Sequence, residues 1–173
     1  MKKGQSAMEY LMTYGWAILV IIIVIAVLFY IGVLNPKNVT PTSCTFPPGM
    51  TCASFKLVQT DGTLDLRVGQ ATGHPIQILN VICTQASTPP DMSVINTGYT
   101  NVTTIPIGEQ RWLLGGDSGN DVKCLDSNGA LLGAAAAQLG EFYKGKIWIQ
   151  YNETDTGMSR TVVGDLATKF ETS

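Results

Sequence analysis

Charged residues are scarce in this sequence. Asp, Glu, Lys and Arg together make up 14% of the 173 residues, and the formal net charge is −2. No clustered basic stripe is present, so the chain lacks the electrostatic surface that nucleic-acid binding requires. The charge distribution therefore predicts no nucleic-acid partner.

Catalytic and metal-binding patterns are also missing. The one histidine, His74, lies in a Thr-Gly-His-Pro segment, and no H-E-x-x-H pattern or phosphate-binding glycine loop occurs. The stretch Asp117–Asp126 offers oxygen ligands but lacks EF-hand spacing, which favours a solvated loop over a calcium site. We therefore expect a structural role for His74, no enzyme activity, no metal and no cofactor.

Cysteines are few, widely spaced and even in number. They are Cys44, Cys52, Cys83 and Cys124, and no C-x-x-C pair occurs among them. This pattern favours two disulfides over a metal site, although three pairings are possible. We favour a short Cys44–Cys52 loop with Cys83–Cys124 as the long-range bridge. Four free buried thiols are the alternative. It is disfavoured if the cysteine-containing region is exported from the cytoplasm, as the apolar segment and its flanking lysines predict.

The segment Gly15–Leu34 contains no charged residue. Twenty helical residues at about 1.5 Å each match a hydrocarbon core of about 30 Å. Many of these residues are β-branched, but a lone span in lipid satisfies its backbone only as a helix. We predict a helix over about Ser6 to Leu34, ended by Asn35-Pro36, because proline disfavours helical backbone in the residue before it.

The lysines set the predicted orientation. Lys2 and Lys3 precede the apolar segment, and the next basic residue is Lys37. Because basic flanks stay in the cytoplasm, the N-terminus is expected inside the cell and residues 35–173 outside. A cleaved secretory signal peptide fits less well, since the segment is long and no small-x-small site follows it. A plain single-pass anchor fits the hydropathy equally well.

The first residues distinguish these readings. The chain starts MKKGQSAMEYLMTYGWAILV, with a short basic leader ending at Gly4, then Gln5, then Glu9-Tyr10. This start resembles the class III signal peptides of archaeal type IV pilins, specifically over residues 1–34 and more weakly beyond them. The resemblance implies cleavage by a prepilin peptidase between Gly4 and Gln5. It also implies retention of the apolar helix and assembly with identical subunits by a pilus ATPase and membrane platform.

Physical reasons support these positions. A glycine allows the scissile backbone to enter a protease cleft extended. Glu9 is the one acidic residue before Asn35, and a carboxylate near the bilayer is costly unless it is paired. It can interact with the positive end of its helix dipole. The resemblance implies that Glu9 also pairs with the new α-amino group of a neighbouring subunit.

The predicted fold is α+β, with a long N-terminal hydrophobic helix followed by an antiparallel β-sandwich or barrel-like head, as in a pilin. The expected parts are a leader (1–4), a helix (5–35), a connector with a disulfide loop (36–54) and a β-rich extracellular head (55–173). Alternation and turn residues predict about seven strands. They are Phe55–Thr60, Thr63–Val68, Ile76–Thr84, Asn101–Ile107, Gln110–Leu114, Lys146–Tyr151 and Arg160–Phe170. Gly129–Gly140 fits either a short helix or a packed loop.

Three N-x-S/T sequons, at Asn38, Asn101 and Asn152, predict glycosylation of at least one asparagine in an exported head. The expected function is structural: a pilin in an extracellular filament at the cell surface, acting in surface adhesion. An archaellin of a swimming filament is one alternative. A single-pass membrane protein with an extracellular binding domain that does not polymerise is another.

Overall fold

The computed structural model describes residues 3–32, 41–88, 91, 99, 102–115, 121–132 and 138–173. The chain divides into two compact units, Met1–Thr40 and Pro41–Ser173. The first unit contains a helix and the second a β-sheet, and each is described by itself.

The N-terminal apolar helix is confirmed. Helix α1 spans Lys3–Tyr30, and its segment Met8–Tyr30 is long and apolar enough to cross a membrane. The predicted end at Asn35-Pro36 is too late. The helix stops at Tyr30, and Gly32 follows with a φ of 72° and donates its N–H to the carbonyl of Phe29 at 3.1 Å. Glycine adopts this left-handed backbone without the strain that a side chain adds, so Gly32 ends the helix.

The second unit is one curled sheet in which nine strands are described. The strands are β1 (Ser43–Thr45), β2 (Met50–Val58), β3 (Thr63–Gln70), β4 (Ile76–Thr84), β5 (Thr103–Ile105), β6 (Gln110–Leu114), β7 (Val122–Lys123), β8 (Phe142–Glu153) and β9 (Ser159–Glu171). Their order is β5-β4-β8-β9-β2-β3-β6, with β1 on β9 and β7 on β3. All pairs are antiparallel except a short parallel contact of β2 with β9.

The mainly antiparallel character of this unit is confirmed, and several strand boundaries are refined. Strands β4 and β6 have the predicted bounds, and Asp61-Gly62 joins β2 to β3 as expected. Strand β2 begins at Met50, inside the predicted connector, because its first residues pair with the end of β3. Strands β1 and β7 were not predicted, since two or three residues carry too little alternation to be recognised. The described parts of Gly129–Gly140 contain no helix.

The core lies on the concave face of the sheet and follows the strand alternation. Leu64, Leu66 and Val68 of β3 are fully buried, whereas Arg67 is exposed. Thr63 belongs to the other face by alternation with Leu64, yet it is only 8% exposed. Burial of each large aliphatic side chain contributes roughly 1.5–3 kcal/mol relative to exposure, so this face provides most of the stability of the sheet.

Two disulfides are present, Cys44–Cys52 and Cys83–Cys124, and no described cysteine is free. This is the favoured pairing. The bridges close sequence separations of 8 and 41 residues. In the chain-entropy picture such loops contribute roughly 2.5 and 4 kcal/mol. Cys83 and Cys124 are both fully buried, so the longer bridge fixes β4 to the segment after β7 inside the core.

The side chain of Gln70 closes the curled sheet at one end. Strands β5 and β6 lie at opposite ends of the strand order, yet only residues 106–109 connect them. The backbone N–H of Gln70 donates to Glu109 at 3.1 Å, and its carbonyl accepts from Gly108 at 2.9 Å. Its side-chain Nε2 donates to the carbonyls of Ile105 and His74, both at 3.1 Å. Gln70 is 3% exposed, so these hydrogen bonds take the place of those that it would make to water in the unfolded chain.

Gln70→Met should therefore destabilise the β-sheet unit by about 1–3 kcal/mol, because the shape is kept while buried carbonyls lose their donor. The matched control is Gln110→Met, an exposed position on edge strand β6, which should change stability by no more than about 0.5 kcal/mol. Thermal or urea unfolding of the full chain measures both. Equal stabilities for the two variants would contradict the closing role of Gln70.

Candidate functional site

The predicted cleavage site lies in the first turn of α1. The helix begins at Lys3, so the backbone at Gly4 and Gln5 is helical. Glycine is less favourable than alanine inside a helix by about 1 kcal/mol, so this turn opens at low cost. A protease that needs extended backbone at Gly4 can therefore unwind one terminal turn without disturbing the apolar helix beyond it.

Glu9 lies on an exposed polar face of the helix with Tyr10, Thr13 and Tyr14. The Thr13 hydroxyl donates to the Glu9 backbone carbonyl at 2.9 Å. The Tyr10 and Tyr14 rings stack with centroids 4.2 Å apart, which matches residues four apart on a helix. The Glu9 carboxylate has no ion-pair partner among the described residues. The helix thus presents a carboxylate, without an ion-pair partner in the described chain, six residues before the uncharged segment that starts at Gly15.

Beyond Glu9 the helix is uncharged and its surface is apolar. The side chains described between Trp16 and Tyr30 are exposed, apart from the half-buried Leu28. A helix that is hydrophobic on all sides requires lipid or other protein around it. The helix is therefore suited to membrane insertion or to association with further apolar helices.

The sequons are only partly within the described structure. Asn38 and Asn101 lie outside the described residues. Asn152 lies in β8, paired with Gln77 of β4 and Ser159 of β9. Its side-chain oxygen is buried without a hydrogen-bond partner in the described part of the chain. Glycosylation at these positions stays a prediction.

The stretch Asp117–Asp126, which was expected to be a solvated loop and not a calcium site, is only partly described, since residues 116–120 lie outside the described ranges. Asp126 Oδ1 accepts the backbone N–H groups of Asn128 and Ala130, both at 2.8 Å. These hydrogen bonds lower the pKa of Asp126, and the bond from Ala130 has the largest effect. The carboxylate therefore caps a local turn.

A second polar cluster surrounds His74, the residue expected to have only a structural role. His74 lies in the β3–β4 loop, and its Nδ1 is 2.6 Å from Oδ2 of Asp155 in the β8–β9 turn. The two loops meet because Ile76 of β4 pairs with Glu153 of β8. Thr154 reinforces the contact, since its N–H and hydroxyl both donate to the Pro75 carbonyl, at 2.9 and 3.1 Å.

Glu153 completes this cluster from the inner face of the sheet. It is only 5% exposed. Its two carboxylate oxygens accept from Arg160 Nε at 2.7 Å and from the Thr156 hydroxyl at 2.6 Å. Ligand-type atoms of His74, Glu153 and Asp155 all lie within 4.8 Å of one another.

This cluster was not predicted from the sequence, because its members are far apart in the chain. Only the pairing register of β4 with β8 brings them together. One signal was available in the alternation of β8. Ile147, Ile149 and Tyr151 face the core, and the next residue of that series is Glu153. A carboxylate at an inward position of a strand indicates a specific partner.

The pKa values of the cluster reflect its hydrogen bonds. The hydrogen bond to Asp155 raises the pKa of His74 above 6.5. The same bond lowers the pKa of Asp155 below 3.8. The Thr156 hydroxyl, followed by Arg160, lowers the pKa of Glu153. The arrangement therefore favours a cationic imidazole between two carboxylates.

No protein-family model, curated protein or solved structure matches this chain. Two features of the chain itself indicate its function, the helix with Glu9 and the cluster around His74.

The His74–Asp155 contact predicts a defined pH dependence. Because the pKa of His74 is raised in the fold, its stabilising contribution is complete below pH 6.5 and is lost as the pH rises through the folded value. Because the pKa of Asp155 is lowered, its contribution is present above pH 3.8 and is lost as the pH falls through the folded value. The contact should therefore stabilise most between about pH 4 and 6.5.

NMR titration of the single imidazole in EDTA-containing buffer measures this effect. Asp155→Asn should move the pKa of His74 back toward 6.5, since the main cause of its shift is removed. Asp165→Asn is the matched control, because Asp165 is exposed on β9 and has no part in the cluster. An unchanged His74 pKa in the Asp155 variant would contradict the assignment.

Proposed function

We propose that this chain is a type IV pilin-like subunit that is cleaved between Gly4 and Gln5 and polymerises through α1 into an extracellular filament. The observation that carries the proposal is the combination of Gly4, Gln5 and Glu9 ahead of an uncharged, exposed helix. A plain membrane anchor needs the apolar segment alone. The carboxylate at its start has no use in that case, whereas a polymer gives it a partner.

The helix suits two environments in succession. In the membrane its apolar surface contacts lipid, and in a filament it contacts the same helix of other subunits. Small residues such as Gly15, Ala17 and Ala26 allow such helices to approach closely. Because two different surfaces of each subunit would then meet head to tail without closing a ring, the product would be an open helical polymer.

The disulfides support an extracellular position for the head. Disulfides persist in oxidising compartments and are rare in the cytosol. Both bridges lie in residues 41–173, the part of the chain that the lysine distribution places outside the cell. Surface adhesion is the role that we propose for such a filament.

Glu9 is the residue that we propose to direct assembly. Cleavage after Gly4 leaves an α-amino group on Gln5, and Glu9 lacks an ion-pair partner in the described chain. An ammonium group of a neighbouring subunit would neutralise the carboxylate in the apolar filament core. Pairing of this kind is strong in low dielectric, and it fixes the axial register of one subunit on the next.

Gly4→Phe should block cleavage and leave the full-length precursor in the membrane, because a bulky side chain obstructs the protease cleft. Intact-mass measurement of the membrane fraction detects retention of Met1–Gly4. Gly15→Ala is the control, since an added methyl group there meets no other atom within 4 Å, and it should be processed normally. Normal cleavage of the Gly4→Phe variant after position 4 would contradict the proposed cleavage site.

Glu9→Ala and Glu9→Gln should both reduce the yield of sheared filaments by at least about tenfold, which corresponds to about 1.4 kcal/mol at each subunit contact. The precursor level in the membrane should stay unchanged. Thr13→Ala alters the same helix face without changing its charge and should assemble normally. Filament yields equal to wild type in both Glu9 variants would contradict the pairing role.

The same experiments separate the alternatives. A single-pass protein that does not polymerise would retain Met1–Gly4 and be absent from sheared material. An archaellin would be cleaved and assembled, but its deletion would abolish swimming and leave adhesion intact.

A further inference from the structure

The cluster of His74, Glu153 and Asp155 combines one imidazole nitrogen and two carboxylates. His74 and Asp155 are about half exposed, with side-chain exposures of 42% and 47%, so the cluster is open to solvent on one side. Glu153 approaches from the buried side with a side-chain exposure of 6%. Ligand-type atoms of the three residues all lie within 4.8 Å of one another.

This donor set matches the chemistry of zinc. Zn²⁺ binds histidine nitrogen and carboxylate oxygen at about 2.0–2.2 Å, so ligand atoms around one ion lie roughly 3.3 Å apart. In the cluster, His74 Nδ1 and Asp155 Oδ2 are 2.6 Å apart and all the ligand-type atoms lie within 4.8 Å of one another. A metal ion would therefore require the first pair to separate slightly and Glu153 to approach them. A nitrogen ligand disfavours Ca²⁺ and Mg²⁺, which select oxygen. Three protein ligands with an open side also leave room for water at the fourth position.

We propose that His74 Nδ1, Asp155 and Glu153 form a binding site for a divalent transition metal, represented by Zn²⁺, that clamps the β3–β4 loop to the β8–β9 turn. In the metal-free protein a hydrogen bond joins the His74 imidazole to the Asp155 carboxylate. With the ion bound, each of these groups would instead coordinate it through a lone pair. The proton on Nδ1 leaves to solvent when the metal binds. The site joins two segments that are distant in sequence, since His74 is 79 residues before Glu153 and 81 residues before Asp155.

Arg160 is the competitor of the metal in this arrangement. Its Nε donates to Glu153 Oε1 at 2.7 Å, and its guanidinium neutralises the carboxylate that the ion would use. Removal of this positive charge should strengthen metal binding. A site formed by His74 and Asp155 alone would gain much less from the same change, so Arg160 variants report whether Glu153 is a ligand.

The rest of the chain interferes little with such a test. All four cysteines are in disulfides, so no thiol competes for zinc. His74 is the one histidine in the sequence, so any imidazole signal belongs to this site.

The test is calorimetric titration of the full chain in detergent micelles with ZnCl₂ alone. Wild type should bind one Zn²⁺ per chain. His74→Ala and Asp155→Asn should each weaken binding by more than about tenfold, and Arg160→Gln should bind more tightly than wild type. Asp165→Asn, which alters an exposed carboxylate on β9, should bind like wild type. Thermal unfolding confirms that each variant is folded.

Histidine-selective ¹⁵N NMR of wild type gives a second readout that does not depend on any variant. Zn²⁺ should shift the Nδ1 resonance of His74 strongly and Nε2 little. Equal zinc binding by His74→Ala and wild type, no saturable binding by wild type, or a shift confined to Nε2 would each overturn the proposal. Unchanged or weaker binding by Arg160→Gln would exclude Glu153 as a ligand and would overturn the three-residue site.

Discussion

A helix that is apolar on every side cannot remain in water, and this constraint governs the whole chain. The exposed surface of α1 from Trp16 to Tyr30 has to be covered by lipid or by other helices. Lipid alone satisfies the aliphatic side chains but leaves the carboxylate of Glu9 at the edge of the bilayer without a partner. The polymerisation that we propose would satisfy both requirements, because each subunit would bring an ammonium group to the carboxylate of its neighbour.

The sheet unit is organised by a different constraint, the need to stabilise many long-range strand pairs. Three of the neighbouring pairs in its strand order, β4 with β8, β9 with β2 and β3 with β6, join strands that are not consecutive in sequence. A buried disulfide also fixes β4 to the segment after β7. Gln70 closes one end by bonding to both edges of the strand order through Ile105 and the turn before β6. The loops around His74 meet at the same end, because the β4–β8 register aligns Ile76 with Glu153.

Features encoded locally were predictable from the sequence. The helix follows from an uninterrupted apolar segment, and the β2–β3 and β8–β9 hairpins follow from alternation with a polar turn between the strands. The helix end was placed too late, because Gly32 outweighs the later proline. The strand order, the closing role of Gln70 and the partners of His74 were not predictable. They depend on register between distant strands, and a single sequence does not specify that register.

The central claim is that α1 forms the core of a filament, and helical reconstruction by electron cryomicroscopy of sheared surface filaments tests it most directly. The account predicts density for bundled α1 helices that begin at Gln5, with each Glu9 carboxylate beside the α-amino group of an adjacent subunit. The sheet units should form the outer layer. Filaments that do not contain this chain, or a core in which Glu9 faces solvent away from every neighbouring N-terminus, would contradict it.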